Sequence, residues 1–411
     1  MGHPFTSEKC TFCWGISGMS VKITNVRHAP APLASKIANA FISFETMTTN
    51  VVAIETDVVR DGVPVVGYGF SSNGRYAQPG LLAERFVPRV LAADPKSLLD
   101  VTGENLDPHA VWRTTMSNEK PGGHGERSSA IGAFDMAVWD IAAKIAGQPL
   151  WRILSDRYNG GAYDEKVLVY PGGGYYYPGK GLDKLQEEMR GYREQGYKIC
   201  KMKVGAVPLD EDMPRIEAAI EAVGAGEHLA VDVNGRFNLE EAIAFGKAIA
   251  PLGLAWYEEP GDPLDYHLNA ELVQTYSGPI ATGENLFSHQ DLNNLLRFGG
   301  LRPDTDWVQP DPSLAYGLTE YLVILEEAEK LGWSRRRFLP HGGHQLALNM
   351  AAGLQLGGSE SYPGVFQPYG GFADDIPIVG GYATLPQDVP GIGMELKPGM
   401  IDEIRKRLEF D

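Results

Sequence analysis

The chain of 411 residues has few cysteines, no long apolar segment and no extended run of positive charge. Three cysteines, an odd number, do not make a disulfide framework and are typical of a reducing compartment. No run reaches the roughly 18 to 20 apolar residues of a membrane helix, and the N-terminus lacks the features of a secretory signal. The net charge of −17, broken only by short basic clusters, disfavours nucleic acid and acidic membranes as partners. We therefore predict a cytoplasmic globular protein that binds neither nucleic acid nor membrane.

Residues 1–18 differ from the rest of the chain, because the regular strand pattern begins only at Met19. We predict that they form a flexible N-terminal extension. Cys10 and Cys13 form a lone CxxC within this segment, and without a second pair of ligands the motif is a weak indication of zinc.

Residues 19–155 have strand-like runs first and helical runs second. The runs VKITNVR, FISFETMTTNVVAIETDVV and VPVVGYGF are typical of strands, and RDG predicts a turn between the last two. The later segments LLAERFVPRVLAADP and ERSSAIGAFDMAVWDIAAKIAG have apolar residues three and four positions apart, as in helices. This order predicts an α+β domain.

Between residues 156 and 370, short apolar runs alternate with helical segments at least six times, which is typical of a parallel α/β fold. Polar residues end the successive runs at intervals of 26 to 30 residues: Lys203, Asp232, Glu258, Glu284, Asp311 and His341. A near-constant interval places these residues at equivalent points of a repeated βα unit. In a (β/α)8 barrel such points form one ring at the C-terminal mouth, whereas an open sheet would not bring six successive strand ends together.

Three members of this ring, Asp232, Glu258 and Glu284, are carboxylates that would repel one another strongly if they converged. A hard divalent cation would remove the repulsion. Ligation by oxygen alone favours Mg²⁺ over softer metals, and leaves positions for water and substrate. The alternative is that each carboxylate pairs separately with a helix N-terminus or an arginine. The regular spacing favours the metal site.

The stretch KICKMKVGA, residues 198–206, places Lys201 and Lys203 on one face of a strand. A lysine beside a cation and a second lysine has its charged form disfavoured. We therefore predict a lowered pKa for Lys203, which would let it act as a base. Lys198 is predicted to lie on the surface.

His341 follows the last apolar run, and Asp311 on the preceding strand would orient its ring, with His344 as a competing candidate. A metal, a lysine and a histidine around one mouth are the parts needed to abstract a proton next to a carboxylate. In that reaction the metal holds the substrate carboxylate and stabilises the enediolate.

The motifs KMK at 201–203, DVNG at 232–235, EEP at 258–260 and GEN at 283–285, with Asp311 and His341, resemble the mandelate racemase branch of the enolase superfamily. This resemblance implies a modified (β/α)8 TIM barrel at 156–370. It also implies that residues 19–155 form a capping domain and that residues 371–411 return to the cap. Mg²⁺ as cofactor, a small hydroxy acid as substrate and an even-numbered homo-oligomer are further implications.

Longer stretches, such as NEKPGGHGER at 118–127 and GGGYYYPGKG at 172–181, are similar to the D-tartrate dehydratases of this family. The likeness implies loss of water from D-tartrate to give oxaloacetate, with Lys203 as general base and His341 as the acid for the departing hydroxyl. The implied substrate contacts are Asn39, Asn73, Lys120, Tyr175, Lys201, Asp311 and Glu360. The residues alone leave open an asparagine in a turn and a solvated lysine.

Other functions remain open at this point. A dehydratase of another acid sugar would share the proton-abstraction residues, while a racemase or epimerase would use Lys203 and His341 from opposite faces. A non-catalytic sugar-acid binder is a third class. The stretch GYYYPGK at 174–180 resembles a phosphate-binding loop but is followed by Gly181 in place of Ser or Thr, so we predict that it lines the substrate pocket.

Overall fold

A computed structural model describes residues 21–410 with the exception of 34, 73–76 and 374. The predicted N-terminal extension and its CxxC motif lie outside the described residues. Within the described part of the chain, no helix is both long and apolar enough to cross a membrane.

The N-terminal domain is a three-stranded antiparallel sheet covered by helices. Its strands are β1 (Ile23–Pro32), β2 (Thr48–Arg60) and β3 (Val63–Phe70), in that spatial order. Its helices are α1 (Gln78–Leu81), α2 (Val87–Ala92), α3 (Pro108–Thr115), α4 (Glu126–Ala146) and α5 (Leu150–Tyr158). Every residue of α4 from 128 to 143 is buried, because the helix packs on β2 and β3 and also against one helix of the second domain.

The second domain is a barrel. Its strands are β4 (Lys166–Gly173), β5 (Cys200–Lys203), β6 (Leu229–Asp232), β7 (Tyr257–Glu258), β8 (Ile280–Thr282), β9 (Trp307–Val308) and β10 (Ser359–Ser361). The helices between them are α6 (Leu182–Glu194), α7 (Leu209–Val223), α8 (Leu239–Ile249), α9 (Tyr266–Thr275), α10 (His289–Phe298), α11 (Leu318–Lys330) and α12 (Gln345–Gly353).

The barrel closes through a short bridging segment. Strands β4 to β9 are parallel neighbours in chain order, and β10 pairs in parallel with β4. Phe338 forms a parallel bridge with Val308, and the Leu339 amide donates to the Val308 carbonyl over 2.9 Å. Gly357 donates to the Phe338 carbonyl, which completes a ring of eight positions. The predicted (β/α)8 barrel with an N-terminal α+β domain is confirmed.

The strand register aligns the predicted polar residues. Lys203 pairs with Asp232 across β5 and β6, and Asp232 pairs with Glu258 across β6 and β7. Cys200 and Met202 lie in the hydrophobic layer under the helices, whereas Lys201 and Lys203 face the barrel interior. Lys201 and Lys203 therefore share one face of the strand, as the alternation within KICKMKVGA predicts.

The C-terminal residues contact both domains. Strands β11 (Ile378–Val379) and β12 (Tyr382–Thr384) extend the barrel sheet, with β12 antiparallel to β4. Helix α13 (Pro398–Arg407) packs against β1 and β2 of the N-terminal domain. The side chain of Arg27 on β1 donates to the carbonyls of Leu408 and Glu409 over 3.2 and 2.9 Å. The domain limits near residues 155 and 370 remain predictions.

Candidate active site

A cavity of about 480 Å³ lies between the barrel mouth and the loop that joins β1 to β2. This volume is in the range of small-molecule sites. The loop is tied to the barrel by two backbone hydrogen bonds of 3.1 and 3.0 Å between Ala38 and Tyr176. The lining residues are Asn39, Phe41, Ile42, Phe44, Met47, Tyr175, Lys203, Asn234, Pro263, Glu284, Asn285, Phe287, His341 and Tyr362.

Asp232, Glu258 and Glu284 converge at one side of this cavity. Each offers a carboxylate oxygen, and these oxygens lie within 4.8 Å of one another in buried surroundings. The carboxylate of Glu258 accepts hydrogen bonds from Trp256 Nε1 over 2.8 Å and from Gln309 Nε2 over 2.9 Å. Such outer partners fix the orientation of a ligand carboxylate.

The two lysines of β5 make ion pairs with these acids. Lys201 Nζ contacts Glu258, and it also lies 3.2 Å from Asp232 and 2.8 Å from Glu360. Lys203 Nζ contacts Asp232. Although burial lowers the pKa of Lys203 and Lys201 lowers it further, the charge of Asp232 outweighs both and raises the pKa. The predicted lowering of the Lys203 pKa is therefore wrong when only protein groups surround the lysine. The neighbouring carboxylates raise the pKa by more than the neighbouring lysine lowers it.

The charges of this cluster suit a divalent cation. The carboxylates of Asp232, Glu258, Glu284 and Glu360 face the ammonium groups of two lysines, so the formal charge in these buried surroundings is −2 when all four acids are ionised. Burial and the charge of Asp232 raise the pKa of Glu258 to about 8, although Lys201 opposes the rise. Both observations fit a site that requires a hard cation with oxygen ligands.

His341 lines the cavity and is oriented as predicted. Its Nδ1 lies 2.7 Å from Asp311 Oδ2, and its Nε2 lies 3.2 Å from Glu284 Oε2. Burial lowers the pKa of His341, but Glu284, Glu360 and Asp311 outweigh burial and raise the pKa to about 10. His344 has another place, because its Nδ1 accepts from the Ala347 amide at the start of α12.

The six predicted substrate contacts that lie among the described residues divide into three groups. Asn39 and Tyr175 line the cavity, and the side-chain oxygen of Asn39 accepts from the amides of its own turn. Lys201, Asp311 and Glu360 are fully buried behind the cavity wall. Lys120 is exposed on the loop between α3 and α4 and does not line the cavity, while Asn73 lies outside the described residues.

Several residues of the site were missed by the sequence reasoning. The apolar cap residues Phe41, Ile42 and Phe44 cover the cavity, and no local pattern indicated their place. Tyr362 also lines the cavity and contacts His341. The sequence did indicate the position of Tyr362, because it stands two residues after Glu360 and strand alternation puts such residues on one face.

The fold and the site define a capped barrel in which an acid triad suited to a divalent cation is flanked along the ring by a lysine and a histidine. The chain belongs to the mandelate racemase/muconate lactonizing enzyme family of the enolase superfamily. Residues 20–155 match the N-terminal domain of mandelate racemase/muconate lactonizing enzyme, and residues 184–400 match the enolase C-terminal domain-like family.

Individual relatives include several dehydratases. Arabinonate dehydratase of Saccharolobus solfataricus is 29% identical over 86% of this chain and 90% of its own length. L-talarate/galactarate dehydratase of Salmonella typhimurium is 31% identical over 79% of this chain and 77% of its own length. The crystal structure of L-talarate dehydratase from a Polaromonas species, complexed with Mg and L-glucarate, superposes with a TM-score of 0.73 at 28% identity. That match covers 91% of this chain and 95% of the other.

Proposed function

We propose that this protein is a Mg²⁺-dependent dehydratase that converts a small hydroxy acid to a keto acid and water. The observation that carries the proposal is that Lys203 and His341 line one cavity on either side of the acid triad, with His341 held by Asp311 behind it. The similarity to dehydratases of arabinonate and of talarate or galactarate supports the reaction class.

When held by Asp232, Glu258 and Glu284, Mg²⁺ would supply positive charge to bind the substrate carboxylate and to stabilise the charge that develops as the α-proton leaves. Cation binding by Asp232 would offset the negative charge that raises the pKa of Lys203. Lys203 Nζ then takes the α-proton as a neutral amine. His341 gives the proton on Nε2 to the β-hydroxyl, so that the C–O bond breaks and water leaves. The electron pair of the former C–H bond forms the double bond of an enol, which tautomerises to the 2-keto acid. Asp311 holds Nδ1 and thereby aims Nε2 into the cavity.

D-tartrate is the first candidate substrate, with oxaloacetate as its product, because stretches such as 118–127 and 172–181 resemble D-tartrate dehydratases. A longer acid sugar of five or six carbons is the second candidate. Two observations favour it: the named relatives act on such acids, and Lys120, one of the contacts implied for tartrate, does not line the cavity.

A screen of tartrate stereoisomers, aldaric acids and aldonic acids with Mg²⁺, followed by detection of keto acids, tests this proposal. We expect a keto acid from D-tartrate. A keto acid from galactarate with none from D-tartrate would show that the enzyme is a dehydratase of a different substrate. An inverted hydroxy acid without any keto product would indicate a racemase or epimerase and contradict the dehydratase.

The homo-oligomer and the cytoplasmic location remain predictions. Sedimentation equilibrium of the full chain tests the first, and an even number of subunits is the expected result.

A further inference from the structure

The hydroxyl of Tyr362 connects His341 with Glu360. Tyr362 follows β10 directly, is 1% exposed and lines the cavity. Its oxygen lies 3.0 Å from His341 Nε2 and 3.0 Å from Glu360 Oε2. Nothing in the elimination as derived so far uses this hydroxyl.

The ring of Tyr362 sits in a slot that holds its hydroxyl in place. A Cβ added at Gly172 would lie 2.6 Å from Tyr362 Cε1, and one added at Gly343 would lie 2.6 Å from Cδ2. The Phe366 ring packs edge-on at 5.0 Å between centroids. The two glycines, which have no side chain, and the Phe366 ring therefore enclose the Tyr362 ring closely and leave no room for another ring position. The oxygen is therefore fixed relative to His341 and Glu360.

Counting protons gives the direction of these hydrogen bonds. The carboxylate of Glu360 is an acceptor, because it pairs with Lys201 at 2.8 Å and lies 3.4 Å from the Gly342 amide. A tyrosine hydroxyl has a single proton, which is donated to Glu360. Its oxygen is then left to accept from His341, so Nε2 is the donor in that contact. A histidine that donates from Nε2 toward the cavity is in the form that elimination requires.

We propose that Tyr362 is a positioning residue for the elimination step. It holds His341 Nε2 as a donor at the cavity wall and joins it to the Glu360–Lys201 ion pair. The Nε2 proton passes to the leaving hydroxyl as the C–O bond breaks, while Tyr362 keeps its own proton and continues to donate it to Glu360 in a hydrogen bond. The catalytic consequence depends on the proposed function, whereas the contact itself does not.

The variant Tyr362→Phe removes the hydroxyl and leaves the ring in its slot. With Mg²⁺ and the hydroxy acid identified by the screen, in D₂O, a carbanion either loses hydroxide or takes up deuterium at the α-carbon. We expect the ratio of α-deuterium incorporation to keto-acid formation to rise about tenfold or more, because only the acid step is weakened. An unchanged ratio, including an equal loss of both, would overturn the inference.

Tyr369→Phe is the matched control, because Tyr369 is a buried tyrosine seven residues further along whose hydroxyl has no hydrogen-bond partner among the described residues. Its ratio should equal that of the parent. If Tyr369→Phe raised the ratio as much as Tyr362→Phe, the effect would be general to this segment and the inference would fail.

A second measurement is independent of turnover. In protein labelled with ¹⁵N-histidine and assigned with His341→Asn, the proton on His341 Nε2 should exchange with water at least about tenfold faster in Tyr362→Phe. An unchanged exchange rate would overturn the inference. Faster exchange in an enzyme that dehydrates no acid would uphold the contact and refute the proposed function.

Discussion

Replacing Lys201 with methionine tests whether its buried ammonium group offsets part of the carboxylate charge in the barrel interior. Lys201 is 0% exposed, and its Nζ contacts the carboxylates of Asp232, Glu258 and Glu360. Methionine is of similar length and apolar, so packing is largely kept while the formal charge of the cluster changes from −2 to −3. Removing one partner of a buried ionic group leaves uncompensated charge and costs about 3 to 5 kcal/mol. We expect the free energy of unfolding of the metal-free protein to fall by that amount.

Urea unfolding of chelator-treated protein, monitored at equilibrium, measures this loss. Lys198→Met is the control, because Lys198 is exposed at the start of the same segment and should change stability by about 0.5 kcal/mol or less. Added Mg²⁺ should stabilise Lys201→Met, because an ion that binds only the folded state shifts the equilibrium. A metal-free Lys201→Met as stable as the Lys198→Met control would refute the reasoning.

Further predictions concern the acid, the metal and the contact between domains. Asp311→Asn should lower the rate of keto-acid formation by about 10²-fold at saturating substrate, because His341 Nδ1 loses its carboxylate, and an undiminished rate would argue against the role of the pair. Chelation should abolish keto-acid formation, and added Mg²⁺ should restore it. Glu284→Gln should raise the half-saturating Mg²⁺ concentration at least about tenfold, because one ligand carboxylate is lost. Equal Mg²⁺ requirements of the variant and the parent would exclude Glu284 as a ligand. Burial raises the pKa of Asp135 to about 7, although its hydrogen bonds to Thr319 oppose the rise. The folded pKa lies above the unfolded value, so the stability from protonated Asp135 is complete below about pH 4. By linkage, about 4 kcal/mol is lost as the pH rises to about 7. The difference in unfolding free energy between the parent and Asp135→Asn should show this pH dependence, and a constant difference would contradict it.

The barrel and the acid triad could be predicted from the sequence because both depend on a regular interval between strand ends. Each βα unit repeats the same strand and crossover, so residues at equal intervals in the sequence lie at the same level of the barrel. The register confirms this for Lys203, Asp232 and Glu258, which are direct cross-strand neighbours. Alternation within one strand was equally reliable, and it placed Lys201 and Lys203 on the interior face.

Features that depend on contacts between distant segments were not predictable in the same way. Strand β10 has the polar sequence SES and no apolar run, so its pairing with β4 was not apparent. The pKa of Lys203 depends on how many carboxylates surround it, which spacing alone does not reveal. The apolar loop over the cavity, including Phe41, lies far along the chain from the barrel that it covers. Lys120 illustrates the same limit, because a likeness in sequence did not place its side chain at the cavity.

The most direct test of the central claim is to follow the substrate of the screen in D₂O with Mg²⁺, using the parent and Lys203→Ala. We expect the parent to form a keto acid, and Lys203→Ala to form none and to incorporate no α-deuterium while it still binds the acid. Binding by the variant shows that the cavity is intact and that the missing group is the base. Turnover by Lys203→Ala at the rate of the parent would show that Lys203 is not the base.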